Sequence, residues 1–363
     1  MKTIPKLAVS IAALLAIVGS VTGQEVSAPG HIKVGAISVL SGEGASWGVN
    51  HQRGTLLAAE EFNRKGGING RSLEVIFEDS PSGIARNAVS AYTKLTSNDH
   101  VKFILGPLMM DEMLALAPLS KRDGVFLGGA TYMPNPGDNA FSTWIDADLE
   151  SDRIAREVLS KYKKVAILAS QQSWEEQVAV RFNSTFTHFG GSIVLFEKPS
   201  FDAADVRAEV LKMKQKRPEA VFITSYLLLA KYLKEMRALG MSLPIFSLEL
   251  DQSVIDSCSG AAEGLIFIAP DAPTDAFVKK FRERWKAEPD IPAASSYDAA
   301  NLLFTAMNES GAEVKKVIDF FKAFQGYDGA VGRIERVDGK TVISTALYRV
   351  EHGKIVRKAA AAP

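Results

Sequence analysis

From residue 31 onward the chain alternates short β-branched runs with longer stretches whose apolar residues recur three and four apart, and few folds accommodate that rhythm. The runs Ile32–Val39, Leu73–Phe77, Val101–Leu105, Val125–Leu127, Val165–Leu168, Ile193–Phe196, Ala220–Thr224, Ile245–Leu250 and Leu265–Ile268 read as buried strands. Between them, sets such as Leu56, Ala59 and Phe62 or Val178, Phe182 and Phe186 carry helical spacing. Strand, helix and strand in succession build parallel pairs with right-handed crossovers. The expected class is α/β, with doubly wound, mainly parallel sheets covered by helices on both faces. Nine strands would make a large single sheet, whereas 363 residues comfortably make two lobes.

The turn-rich stretch Tyr132–Asp138 ends the first sheet in this reading, and fresh strand–helix units start near Asp148 and continue to Pro270. Residues 274–286, 296–308 and 313–323 then read as helices with no strands between them. The last segment, Val331–Val356, alternates like antiparallel strands around Asp338–Gly339.

Ahead of this body, Lys2 and Lys6 precede an unbroken apolar run, Leu7–Val18, followed by small residues through Gly23. The run is too short to span ~30 Å of hydrocarbon but fits the core of a secretory signal. Residues 1–23 are expected to be a signal peptide cleaved after Gly23, sending a soluble protein to a periplasm or similar exported space. With 42 basic and 42 acidic residues the formal charge is zero, which argues against a nucleic-acid partner. The single cysteine, Cys258, allows neither an intramolecular disulfide nor a multi-cysteine zinc site. The five histidines (His31, His51, His100, His188 and His352) never make the HExxH spacing, so no metal or cofactor is expected.

Ligands of open α/β sheets sit beyond the carboxyl ends of strands. The loop after the first strand, Ser41–Gly48, nearly matches the dinucleotide fingerprint, but Trp47 stands where its third glycine would fall. The same loop contains GxSxG centred on Ser46, although several residues separate it from the strand, too slack for a nucleophile elbow. His188 and His352 are candidate bases without a catalytic context. The basic run Lys212, Lys214, Lys216 and Arg217 reads as the end of an amphipathic helix before Pro218. A large frame without catalytic equipment points toward binding.

The segments IKVGAISVLSGEGASWG (32–48), AAEEFNRKGGINGRSLEVIFEDS (58–80), FILGP (103–107), AAEGLIF (261–267) and YDAANLL (297–303) resemble the leucine/isoleucine/valine-binding family, the periplasmic solute-binding proteins of ABC importers. The resemblance covers essentially the whole chain after the leader. It implies two Rossmann-like lobes, 31–145 plus 271–328 and 146–270 plus 329–358. Three hinge crossings would join them near Thr143–Asp148, Pro270–Pro273 and Gly326–Gly332.

By the same resemblance the ligand lies between the lobes. Trp47 matches the aromatic of the first-strand loop. The family's carboxylate-binding serine is replaced by Met110, followed by Asp111. Ala130 and the hydroxyls of Thr131 or Tyr132 match the rest of the carboxylate site. Trp174, Tyr226 and Tyr297 match aromatic positions, and Glu249, with Asp251 as alternative, matches the acid that receives the ammonium.

The implied function is that of a non-enzymatic binding component, capturing a small amino-acid-like or amide/carboxylate ligand by hinge closure for the membrane subunits of an ABC importer. Met110 offers no donor to a buried carboxylate, while the aromatics and the acid suit a ligand with an apolar or cationic part. Two alternatives accompany this reading: a sensor module reporting to a membrane receptor, and an exported serine hydrolase using Ser46.

Overall fold

The computed structural model describes residues 30–133 and 137–358. The expected signal peptide, the centre of the Tyr132–Asp138 turn and the alanine-rich tail lie outside the described residues.

The first sheet is built from β1 (Ile32–Ser38), β2 (Leu73–Asp79), β3 (Phe103–Leu105), β4 (Phe126–Gly129) and β5 (Ala140–Ser142), in the order β2-β1-β3-β4-β5 with every pairing parallel. The turn after Tyr132 therefore does not end this sheet. A fifth strand follows it, pairing Leu127 with Ala140, and its three residues, Ala-Phe-Ser, are too few to show a pattern. Helices α1 (Ala45–Arg64), α2 (Ala85–Ser97) and α3 (Met110–Asp123) connect the strands.

The second sheet contains β6 (Lys164–Leu168), β7 (Ser192–Glu197), β8 (Ala220–Ile223), β9 (Ile245–Leu248) and β10 (Ile266–Pro270), with α4 (Ala147–Leu159), α5 (Ser173–His188), α6 (Arg207–Lys216), α7 (Leu229–Ala238) and α8 (Gln252–Ser257). After α9 (Asp275–Trp285), α10 (Ile291–Ser310) and α11 (Val314–Lys322) come β11 (Gly326–Gly329), β12 (Gly332–Val337), β13 (Lys340–Val342), β14 (Thr345–Glu351) and β15 (Lys354–Arg357). The last two strands complete a seven-stranded sheet, β15-β14-β10-β9-β8-β6-β7, with β14 antiparallel to β10. The final segment thus divides. Its Asp338–Gly339 hairpin forms a separate three-stranded sheet with β11, and only β14 and β15 join the large sheet.

Both faces of each sheet are apolar because both are covered. Val34, Ala36, Phe103 and Phe126 pack with Leu57 of α1 and Leu303 of α10, whereas Ile37, Ile104 and Leu127 face Tyr92 and Leu95 of α2 and Leu116 of α3. In the second sheet Val165 and Ile167 meet Ile154 and Phe182, while Ala166 and Leu168 meet Val210 and Leu233. Fully burying side chains of this size stabilises the fold by about 1.5–3 kcal/mol each.

Two glycines set how closely elements approach. A Cβ on Gly48 would lie 1.7 Å from the Val39 carbonyl oxygen, and one on Gly54 would lie 2.1 Å from that of Ala293, where α1 crosses α10. Gly48 of the GxSxG string is accounted for by this crowding, and Ser46 lies in the first turn of α1, where its carbonyl accepts from Asn50 Nδ2. His188 and His352, the bases considered for it, are exposed, at the end of α5 and in the β14–β15 turn.

Candidate functional site

In each sheet the strand order reverses direction once: between β1 and β3 in the first, and between β6 and β8 in the second. Crevices beyond the carboxyl ends of strands at such points are where open α/β sheets bind ligands. Here residues following β1, β3, β6 and β8 converge on one cavity of about 100 Å³, lined among others by Trp47, Met110, Trp174 and Tyr226. Ala130, Thr131 and Tyr132, after β4, and Glu249, after β9, complete the set.

Trp47 lies on the first turn of α1, behind Gly44, whose φ of 81° turns the chain into the helix. Its indole stands 5.7 Å from the Tyr226 ring, edge on, and 5.9 Å from Trp144. Hydrogen bonds from these rings cross between the lobes. Trp47 Nε1 donates to Asp251 Oδ2 at 2.6 Å, Trp144 Nε1 donates to Glu249 Oε1 at 2.6 Å, and Gln177 Nε2 donates to the Tyr132 hydroxyl at 2.7 Å. Tyr226 also donates to Asp251 Oδ2, at 2.5 Å.

Asp251 caps α8 through the Val254 N–H and sits behind the aromatic wall rather than in the cavity lining. Asp111 likewise does not line the cavity. Its carboxylate accepts the Ser173 N–H, at 3.3 Å, and the Ser173 hydroxyl, across the lobes. Tyr297 is placed elsewhere. It points from α10 toward α9 and α1, where its hydroxyl lies 2.7 Å from Lys280 Nζ and donates to Glu61, and its ring lies 5.2 Å from Phe277.

Trp144, Met109 and Glu175 line the cavity without having been singled out in the sequence. Trp144 follows β5 by two residues, but that strand was not foreseen in the sequence, so no expected strand end flags it. Its being the only aromatic in that crossing is the one available signal.

The electrostatics are one-sided. Glu43, Glu175 and Glu249 line the cavity, and no lysine, arginine or histidine does among the described residues. Burial pushes Glu175 up to about 7. It raises Glu249 as well, and it raises Glu150 on α4 further still, because the two carboxyls face each other. Neither Glu150 oxygen has a hydrogen-bond partner of good geometry. Glu249 has φ 46°, a left-handed conformation costly for a non-glycine residue, and it is held there as its N–H donates to Ile268. No group of metal-ligating side chains occurs among the described residues, and no described helix is long and apolar enough to cross a membrane.

The family described as periplasmic binding protein matches residues 31–354. The leucine-, isoleucine-, valine-, threonine- and alanine-binding protein of Pseudomonas aeruginosa is 24% identical over 328 residues, covering 85% of this chain and 87% of its own. Among solved structures, a leucine-binding protein LivK from Thermotoga maritima aligns with a TM-score of 0.83 at 22% identity, covering 90% of this chain and 98% of the other. A solute-binding protein of an R. palustris ABC transporter, in complex with benzoate, aligns with a TM-score of 0.79 at 20% identity, covering 90% and 95%.

Proposed function

The chain belongs to the periplasmic binding protein family, and on that premise we propose that it captures a small organic solute between its lobes and presents it to the membrane subunits of an ABC importer. The solute would be held by Trp47, Met110, Ala130, Thr131, Tyr132, Trp174, Tyr226 and Glu249. Two bodies, residues 31–145 plus 271–328 and 146–270 plus 329–358, would swing about the crossings to admit it. The protein would act after export, without its leader.

One observation carries this reading: the reversal points of both sheets open onto one cavity, and side chains on either side of it are hydrogen-bonded to each other. In this reading that arrangement is the closed form, which a ligand contacting both sides would favour over an open one. The Pseudomonas relative's name gives branched-chain and small amino acids, and the R. palustris neighbour holds benzoate, so compact organic solutes fit the frame.

The test is thermal shift against leucine, isoleucine, benzoate, short amides and organic amines, paired with small-angle scattering. A compound present at ~100 times its Kd should stabilise by about 2.7 kcal/mol, raise Tm by a few degrees and shrink the radius of gyration. A panel that moves neither quantity would count against solute capture.

A further inference from the structure

We propose that the solute is an apolar organic cation, an alkyl- or arylalkylammonium compound without a free carboxylate, seated among Trp47, Tyr132, Trp174 and Tyr226 with its charge against Glu249. This deepens the solute-binding reading and rests on it.

Several of the donors that could hold a carboxylate are already taken by the protein's own acids. A helix N-terminus attracts anions through its unpaired amides, and two such termini border the cleft. At α3, Glu112 turns back so that its Oε2 accepts the Met109 N–H at 3.0 Å, while Ser80 donates to Oε1. At α5, the first amide, Ser173 N–H, is taken by Asp111. The Tyr226 N–H, which opens onto the cavity after β8, is taken by Glu175 Oε1 at 2.9 Å. With no basic side chain among the described residues lining the cavity, an anionic ligand would find no counter-charge there and would lie against the carboxyls of Glu43, Glu175 and Glu249.

A cation meets the opposite situation. The π faces of tryptophan and tyrosine attract ammonium groups, more strongly when water is excluded. Glu249 lines the cavity and takes one indole N–H from Trp144, and neither Glu249 nor Asp251 forms an ion pair with any lysine or arginine among the described residues. Burial raises Glu249, whose carboxyl faces that of Glu150, and a cation set beside it would favour its charged form. Among the described residues the protein places no lysine or arginine there to do so, and the ligand supplies that charge.

The experiment titrates the protein calorimetrically with choline, with its uncharged carbon isostere 3,3-dimethylbutan-1-ol, with benzyltrimethylammonium, and with leucine and benzoate. The expected result is that the two cations bind, the neutral isostere binds at least tenfold more weakly than choline, and the two acids do not bind. Glu249→Gln keeps an acceptor for Trp144 and should erase the preference for choline over the isostere. Trp174→Leu, at a half-buried position that keeps apolar volume, should weaken choline several-fold and provides a second variant should Glu249→Gln fold poorly. Binding of leucine or benzoate with no response to either cation overturns the cationic ligand and leaves solute capture standing. Silence from every compound overturns the cationic ligand and also withdraws support from solute capture.

Discussion

The Asp111 carboxylate on α3 closes the N-terminus of α5 in the other lobe, receiving both the amide and the hydroxyl of Ser173. A capping acid normally belongs to its own helix, but here it belongs to α3 of the other sheet's layer, so under the proposed hinge closure the cap would form only when the lobes come together.

Asp111→Ala should therefore act on closure more than on folding. Losing a cap costs about 1 kcal/mol, roughly a fivefold fall in the closed-to-open ratio. Small-angle scattering of the unliganded protein should show a larger radius of gyration than wild type, with Tm almost unchanged. Identical scattering curves would remove Asp111 from the closure mechanism.

Trp144→Phe keeps a ring at the crossing but strips the donor from Glu249 Oε1. A buried acceptor left without its partner costs about 1–3 kcal/mol. Urea unfolding should show a lower midpoint at unchanged slope; an unaltered midpoint would mean that water replaces the indole N–H without loss.

Glu175 sets a pH dependence whose sign follows from burial. Its carboxyl is pushed from 4.5 up to about 7, so the folded chain keeps a proton that the unfolded chain releases. Between those values the unfolded state binds fewer protons, and stability falls as pH rises. The groups facing Glu175 are the Ser170 and Ser225 hydroxyls, the Tyr226 amide and the charge of Asp111. Its share is on the order of 3 kcal/mol at most. Glu175→Gln should flatten the decline in urea midpoint from pH 5 to pH 8; a decline as steep as wild type would place the titration elsewhere.

Gly54→Ala forces a methyl to within 2.1 Å of the Ala293 carbonyl, pushing α1 off α10. Overpacking of this kind costs about 1–3 kcal/mol, against a gain of about 1 in helix propensity. A Tm lower by a few degrees is expected, and a stabilised variant would show that the two helices part freely.

Strands buried on both faces announced themselves through β-branched runs, which is why the β/α rhythm of both sheets could be read from residues alone. Ala140–Ser142 could not be read so, because three residues between a turn and a crossing have no period. Trp47, Trp174 and Tyr226 were nameable through the family resemblance, and they stand on loops that follow strands, where such sheets bind ligands. Trp144 reaches the cavity only through the path of the chain between sheets, and Tyr297 leaves it only through the rotation of α10 toward Lys280. The first depends on how the two bodies meet and the second on how α10 is turned against α9 and α1 within one of them, and local sequence encodes neither. Met110 was visible as a departure from a donor, but that Glu112 occupies the amide beside it emerges only in three dimensions.

Of the four tryptophans, Trp47, Trp144 and Trp174 line the cleft, and Trp285 stands apart at the end of α9. The molecule's near-ultraviolet emission therefore originates mostly from the surface that a solute would cover. Occupancy becomes a colour change intrinsic to the chain, so the protein can serve as its own label-free optical gauge of whatever enters it.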